Sequence, residues 1–179
     1  FCTAHGVVLD HVLEDQDVGL KRMRAGEVAA CVCAVERPLA GARSQFLGAM
    51  RYRALASPRF VARHLGGGAS AEALLRAPAI VFGPDDQLQH RYLASLGLSG
   101  AFSHHLCPSS EGFVRLLQSD LGWGLVPELQ VSSELASGAL VDVFQGMPID
   151  VPLYWHHWRN GGDLLAELTR QLVRSARQW

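Results

Sequence analysis

Apolar and polar positions along the chain switch repeatedly between a period of two and a period near 3.6. Residues 6–13, Gly-Val-Val-Leu-Asp-His-Val-Leu, alternate from Leu9 onward and predict a strand. The acidic run Glu14-Asp15-Gln16-Asp17 then suits a helix start, with Leu20 and Met23 at helical spacing and Gly26 as the stop. Residues 28–35 are almost continuously apolar, the pattern of a parallel strand covered on both faces. A further strand is predicted over 46–57. It ends at Ser57-Pro58, where Pro58 suits the first turn of a short helix. Gly66-Gly67-Gly68 reads as a loop before a short helix over 69–76.

The alternation resumes after Pro78. Strands are predicted over 79–82, 104–107, 122–127, 140–144 and 151–158. Helices fall between them, through about Leu96, from Pro108-Ser109-Ser110-Glu111 to about Ser119, and over 129–137 with Gly138 as cap. The last helix, 164–177, gathers Leu164, Leu165, Leu168, Leu172 and Val173 on one face. Strand and helix alternate twice over, so the predicted class is α/β. Two small Rossmann-like lobes of mostly parallel sheet are expected. Ligands in such folds sit beyond the carboxyl ends of strands, which points to the segments after Leu13, Cys33, Phe82 and Cys107.

Composition narrows the function classes. Of 179 residues 49% are apolar and 18% charged, which excludes a disordered chain. A net charge of −1 supplies no positive field to hold nucleic acid by counterion release. No apolar run is long enough to span a membrane, and Phe1 to Gly6 lack the form of a secretory signal. Four cysteines, Cys2, Cys31, Cys33 and Cys107, do not make a disulfide framework and read as reduced thiols in a cytoplasm.

Candidate chemistry is sparse. His104 and His105 are adjacent strand residues on opposite faces and cannot easily share an ion, and the same holds for His156 and His157. Cys31 and Cys33 share a strand face and read as small apolar groups. No Walker sequence, nucleophile elbow, His-Glu-x-x-His or dinucleotide fingerprint is found, so no enzyme, cofactor or metal is expected. Ser109 and Ser110 stand where a helix is capped, a position that also receives carboxylates. The acidic cluster Glu14, Asp15, Asp17 reads equally as a solvated first turn or as a recogniser of a cationic group.

Three stretches resemble the effector-binding domain of LysR-type transcriptional regulators: residues 24–32 with Gly26-Glu27-Val28, residues 116–141 with Gly122-Trp123-Gly124-Leu125-Val126-Pro127 and Leu135 to Val141, and Ala56-Ser57-Pro58. More narrowly, residues 13–17, 47–53, 108–113, 134–138 and 153–156 resemble the lysine- and arginine-responsive branch that controls exporters of basic amino acids. The resemblance runs from about Val7 to the end. It implies a fold like type II periplasmic binding proteins, with lobe I over about 1–77 plus 155–179 and lobe II over about 78–154. It also implies that the family's first strand and helix, its helix-turn-helix and its linker helix lie outside these residues, leaving a sheet edge exposed. DNA would then be bound only through the helix-turn-helix, and homo-oligomers would form through lobe surfaces. Carried over by position, an effector pocket would be lined by Asp15, Asp17, Cys33, Ala34, Ser109, Ser110 and Glu111, with Tyr154 and His156 on the hinge side. A basic amino acid would offer its cation to Asp15, Asp17 or Glu111 and its carboxylate to the helix start. The expected role is a cytoplasmic sensor module. The alternative, on the same architecture, is an extracytoplasmic solute-binding protein for a small amino acid.

Overall fold

Helix α1 (Cys2–His5) opens the computed structural model, which describes residues 1–15, 19–66, 71–144 and 146–176. Gly6 ends α1 in the left-handed region, φ 63°, where a residue without Cβ carries no penalty. Residues 7–15 then run without regular structure. The strand predicted over 6–13 is therefore not formed: among the described residues no ladder pairs it, and Val8 is 94% exposed. Alternation marks a potential strand, but a strand exists only when a neighbour takes up its backbone hydrogen bonds.

After α2 (Gly19–Arg24) come β1 (Ala30–Cys33) and β2 (Ala42–Ala56). Next follow α3 (Pro58–His64), α4 (Ala71–Arg76), β3 (Ala79–Val81), α5 (Leu88–Ser95) and β4 (His104–Leu106). The chain continues through α6 (Ser110–Gln118), β5 (Gly124–Pro127), a 3-10 turn at Glu128–Gln130 and α7 (Ser132–Ser137). It closes with β6 (Val141–Asp142), β7 (Ile149–Trp158) and α8 (Gly162–Ala176). The helix predicted over 129–137 is thus broken at Val131, whose φ of −124° leaves the helical region.

Two compact units result. Unit 1 comprises Phe1–Ala49 and Val151–Trp179, and unit 2 comprises Met50–Asp150. The expected boundaries near 77 and 154 are corrected to 49/50 and 150/151. The divisions fall inside β2 and β7, two long strands that each serve both units, and not in loops where composition changes. Sequence periodicity has no mark for such a crossing.

The expectation of mostly parallel sheet also needs correction. β3 pairs β4 in parallel, as expected of a strand–helix–strand unit through α5. The ladders of β1 with β7, β2 with β5 and β2 with β6 are all antiparallel. β7 lies between β1 and β2 in the sheet, so these consecutive strands do not pair and the strand–helix–strand rule does not act on them.

In unit 2 the core gathers Leu55, Ile80, Phe113, Val114, Leu117, Val126, Val131 and Leu140. Trp123 is fully buried and donates from Nε1 to the Leu74 carbonyl, 3.3 Å away. The glycines flanking Trp123 admit close approach: a Cβ at 122 would lie 2.9 Å from Ile80 Cγ1, and one at 124 would lie 2.6 Å from the Phe113 ring. In unit 1, Trp155 Nε1 donates to Thr169 Oγ1 at 2.9 Å, which fastens β7 to α8. The predicted apolar stripe of α8 is only half covered, with Leu164 exposed at its start. No helix among the described residues is long and apolar enough to cross a membrane.

Candidate functional site

The register of β1 against β7 places Cys31 opposite His156 and Cys33 opposite Tyr154. Opposed residues of an antiparallel pair share a face, so Cys31, Cys33, Tyr154 and His156 stand together on one side of this ladder. Val32, Trp155 and His157 point to the other side, where Trp155 meets α8. Helix α2 approaches the cysteine side. A Cβ on Gly19 would come within 3.1 Å of Cys33 Cβ and 3.7 Å of Cys31 Cβ. Glycine at this helix start lets the helix backbone sit directly on the thiols.

His156 is fully buried. Its Nε2–H donates to the Val35 carbonyl at 2.6 Å, and its Nδ1 has no hydrogen-bond partner. Burial pushes its pKa below the ordinary imidazole range; the Val35 carbonyl works against that and neighbouring His157 adds to it. With the proton on Nε2, Nδ1 is a bare acceptor. The Val35 carbonyl also receives the Cys33 thiol at 4.0 Å, so Cys33 and His156 converge on one oxygen. Tyr154 is half-buried and lies 5.5 Å, centroid to centroid, from the exposed ring of Phe46. Phe46 is the first residue of the strand predicted over 46–57, and the sequence carries no signal for its contact with Tyr154.

Asp15 is buried at the end of the irregular segment, only 8% exposed, which is unusual for a carboxylate. Asp17 lies outside the described residues. Glu14, its neighbour in the acidic cluster, is paired with Arg22, whose Nη1 also reaches Glu27 at 2.7 Å. That member of the cluster answers an internal cation. Ala34 follows β1 directly and is half-buried.

The other three predicted residues lie in unit 2 and form the start of α6. Ser109 is the N-cap, with its Oγ accepting from Gly112 N at 3.1 Å. Ser110 is the first helical residue, and its carbonyl is held by Gln130 Nε2 at 2.8 Å. As first-turn residues, Ser110 and Glu111 direct backbone N–H groups away from the helix with no intrahelical acceptor. Glu111 extends its carboxylate to Arg115 one turn on, at 2.6 Å, with both side chains well exposed. Such a pair contributes a few tenths of a kcal/mol, about 0.3–0.5, and leaves the helix start available to an anion more than to a cation. Gly112 is needed locally: a Cβ there would lie 3.1 Å from Cys107 Sγ.

Among the described residues no three His, Cys, Asp or Glu side chains are grouped to hold a metal ion. His104 and His105 are exposed on β4, and His104 packs edge-on against Phe102.

The description LysR substrate binding domain matches residues 4–179. The chain is similar to the HTH-type transcriptional regulator ArgP of Pseudomonas fluorescens Pf-5, at 69% identity over 179 residues, all of this chain and 60% of that protein. It thus spans less than two thirds of the length of that curated relative. Among solved structures it resembles the C-terminal domains of a LysR family protein from Agrobacterium tumefaciens C58, with TM-score 0.89 and 38% identity over 98% of this chain and 87% of that one. It also resembles full-length LysG from Corynebacterium glutamicum with bound effector Arg, with TM-score 0.83 and 34% identity over 98% of this chain and 60% of that one.

Proposed function

Since the chain belongs to the LysR family and carries its substrate binding domain, we propose that it is the effector-sensing part of a transcriptional regulator that binds lysine or arginine and controls export of basic amino acids. The observation that carries this reading is the 69% identity to ArgP along the whole chain. The likeness to a LysG structure holding Arg supports it. Binding of the effector changes the balance between conformations, and it does so only by as much as its affinities for them differ. DNA is contacted by a helix-turn-helix elsewhere in the protein, copies associate through surfaces of the two units, and the site of action is the cytoplasm. Family membership points to a regulator and not to an enzyme, and it removes the ground for the solute-binding alternative.

In unit 1 a buried carboxylate such as Asp15 suits the side-chain cation. Bare Nδ1 of His156 and the Tyr154 hydroxyl serve N–H and polar groups beside Cys33 and Ala34. In unit 2 the α6 start, with Ser109 and Ser110 and the N–H of Glu111, suits a carboxylate. One charge-assisted hydrogen bond contributes about 1.5–3 kcal/mol, so its loss lowers affinity roughly 10- to 150-fold. Titration calorimetry with lysine, arginine and leucine tests the reading. Lysine or arginine binds at least about tenfold more tightly than leucine, and Asp15→Asn removes most of that preference. Equal affinity for lysine and leucine overturns it.

A further inference from the structure

Asn160 is the single asparagine of the 179 residues, and glycine follows it. The pair lies in the turn between β7, which ends at Trp158, and α8, which begins at Gly162. Both residues are exposed. Among the described residues no hydrogen bond holds the Asn160 side-chain amide, and the Gly161 N–H reaches no backbone carbonyl. The side chain is therefore open to solvent and unrestrained.

The turn fixes what surrounds the pair. Ahead of it, Arg159 N donates to the Gly41 carbonyl at 3.1 Å and Arg159 Nε to the Ala42 carbonyl at 3.2 Å. Behind it, Gly162 has φ 79° and leads into α8. A Cβ on Gly161 would lie 2.2 Å from Leu165 Cδ2 and 3.2 Å from Leu165 Cβ, so a residue with a side chain is admitted there only if Leu165 moves. The fold thus favours glycine at 161. That same glycine puts an amide nitrogen without a neighbouring side chain next to the Asn160 carboxamide. Asparagine is thermolabile, and a bare amide nitrogen one residue on is the nucleophile that makes it so.

We propose that Asn160 is a self-modification site, which cyclises onto the Gly161 nitrogen and deamidates in the folded protein. The Gly161 nitrogen attacks Asn160 Cγ. A C–N bond forms between them, the bond from Cγ to the side-chain nitrogen breaks, and ammonia leaves with the proton that Gly161 gives up. Water then opens the five-membered imide at one of its two carbonyls. One opening yields aspartate, and the other yields isoaspartate, with the main chain running through the former side chain. In sum one water is consumed, one ammonia is released and one carboxylic acid is gained, with no change of oxidation state. The new carboxylate stands just before the start of α8, where the macrodipole favours negative charge and Asp163 already occupies the first turn. The reaction does not depend on which amino acid the domain senses.

The test holds wild-type protein folded at 37 °C, at pH 8.5 and at pH 6.0. Peptic digestion at acid pH and mass mapping are expected to find a growing fraction of the peptide containing residue 160 that has exchanged NH2 for OH. That fraction resolves into aspartyl and isoaspartyl forms. It grows faster at pH 8.5, because the attacking nitrogen must lose its proton. Neutral hydroxylamine, which opens the imide, splits the chain between 160 and 161. Asn160→Ser removes both signals, and the wild-type map needs no variant to fold. A peptide that keeps its mass until urea unfolds the chain overturns the proposal. So does a mass gain that maps to a glutamine instead, or cleavage between 160 and 161 that persists in Asn160→Ser. Failure of lysine binding in calorimetry alters none of these readouts.

Discussion

A buried imidazole with one occupied and one bare nitrogen makes a definite statement about pH. His156 keeps its proton on Nε2 because the Val35 carbonyl accepts it, and burial disfavours adding a second on Nδ1. In the unfolded chain the same ring titrates near about 6.5. The folded pKa is the lower of the two, so between the two values the unfolded state binds more protons. The stabilising contribution is therefore full above the unfolded pKa and is lost as pH falls toward and through the folded value. The urea midpoint of the wild type should decline between pH 7.5 and pH 5.5, and His156→Gln should flatten that decline. If the variant retains the wild-type slope, His156 takes up its proton in place. None of this could be inferred from residues 156–157 as a dipeptide, because the two rings differ only in which face of β7 they occupy.

Single elements owe their form to close approaches. The Gly-Trp-Gly segment leading into β5 buries its indole while both flanking backbones touch neighbours. A methyl group at 124 would enter the Phe113 ring and crowd the Ile80 carbonyl at 3.2 Å. Gly124→Ala is accordingly expected to lower stability by about 1–3 kcal/mol, read as a lower urea midpoint at unchanged slope. Phe113→Leu in the same background should recover part of the loss. Sequence pattern located β3, β5, α6 and β7 within a few residues because their apolar runs, glycines and N-cap serine are local signals. It misjudged the segment over 6–13 because pairing is not local, and it ran a helix through Val131 because a break in φ leaves apolar spacing intact.

For the whole molecule, the charge balance governs behaviour in solution more than it does the fold. The formal charge is −1 at pH 7 and the isoelectric point is near 6.8. Mutual repulsion between copies is then weakest close to neutrality, and several large apolar side chains, Val8 and Leu13 among them, are exposed. Solubility measured by polyethylene glycol precipitation should pass through a minimum near pH 6.8 and rise by pH 8.5. A flat profile would show that apolar contact, not net charge, limits solubility. The division into two units is also a property of this level: β2 and β7 each contribute residues to both, so the units are interleaved along the chain.

Residue order alone settled the α/β class, most of the helix starts and stops, and the family. These depend on periodicity, capping residues and short motifs that neighbours in the chain supply. Residue order also placed Ser109 at a cap and brought Cys33, Tyr154 and His156 under suspicion. Folding in three dimensions decided the rest. It made the ladders around β1, β2, β5 and β7 antiparallel, moved the unit boundaries into strand interiors, and committed Glu111 to Arg115. It buried Asp15 and set Cys31 beside Cys33 against His156. Each of those outcomes rests on partners distant in the sequence, whose register no local pattern encodes.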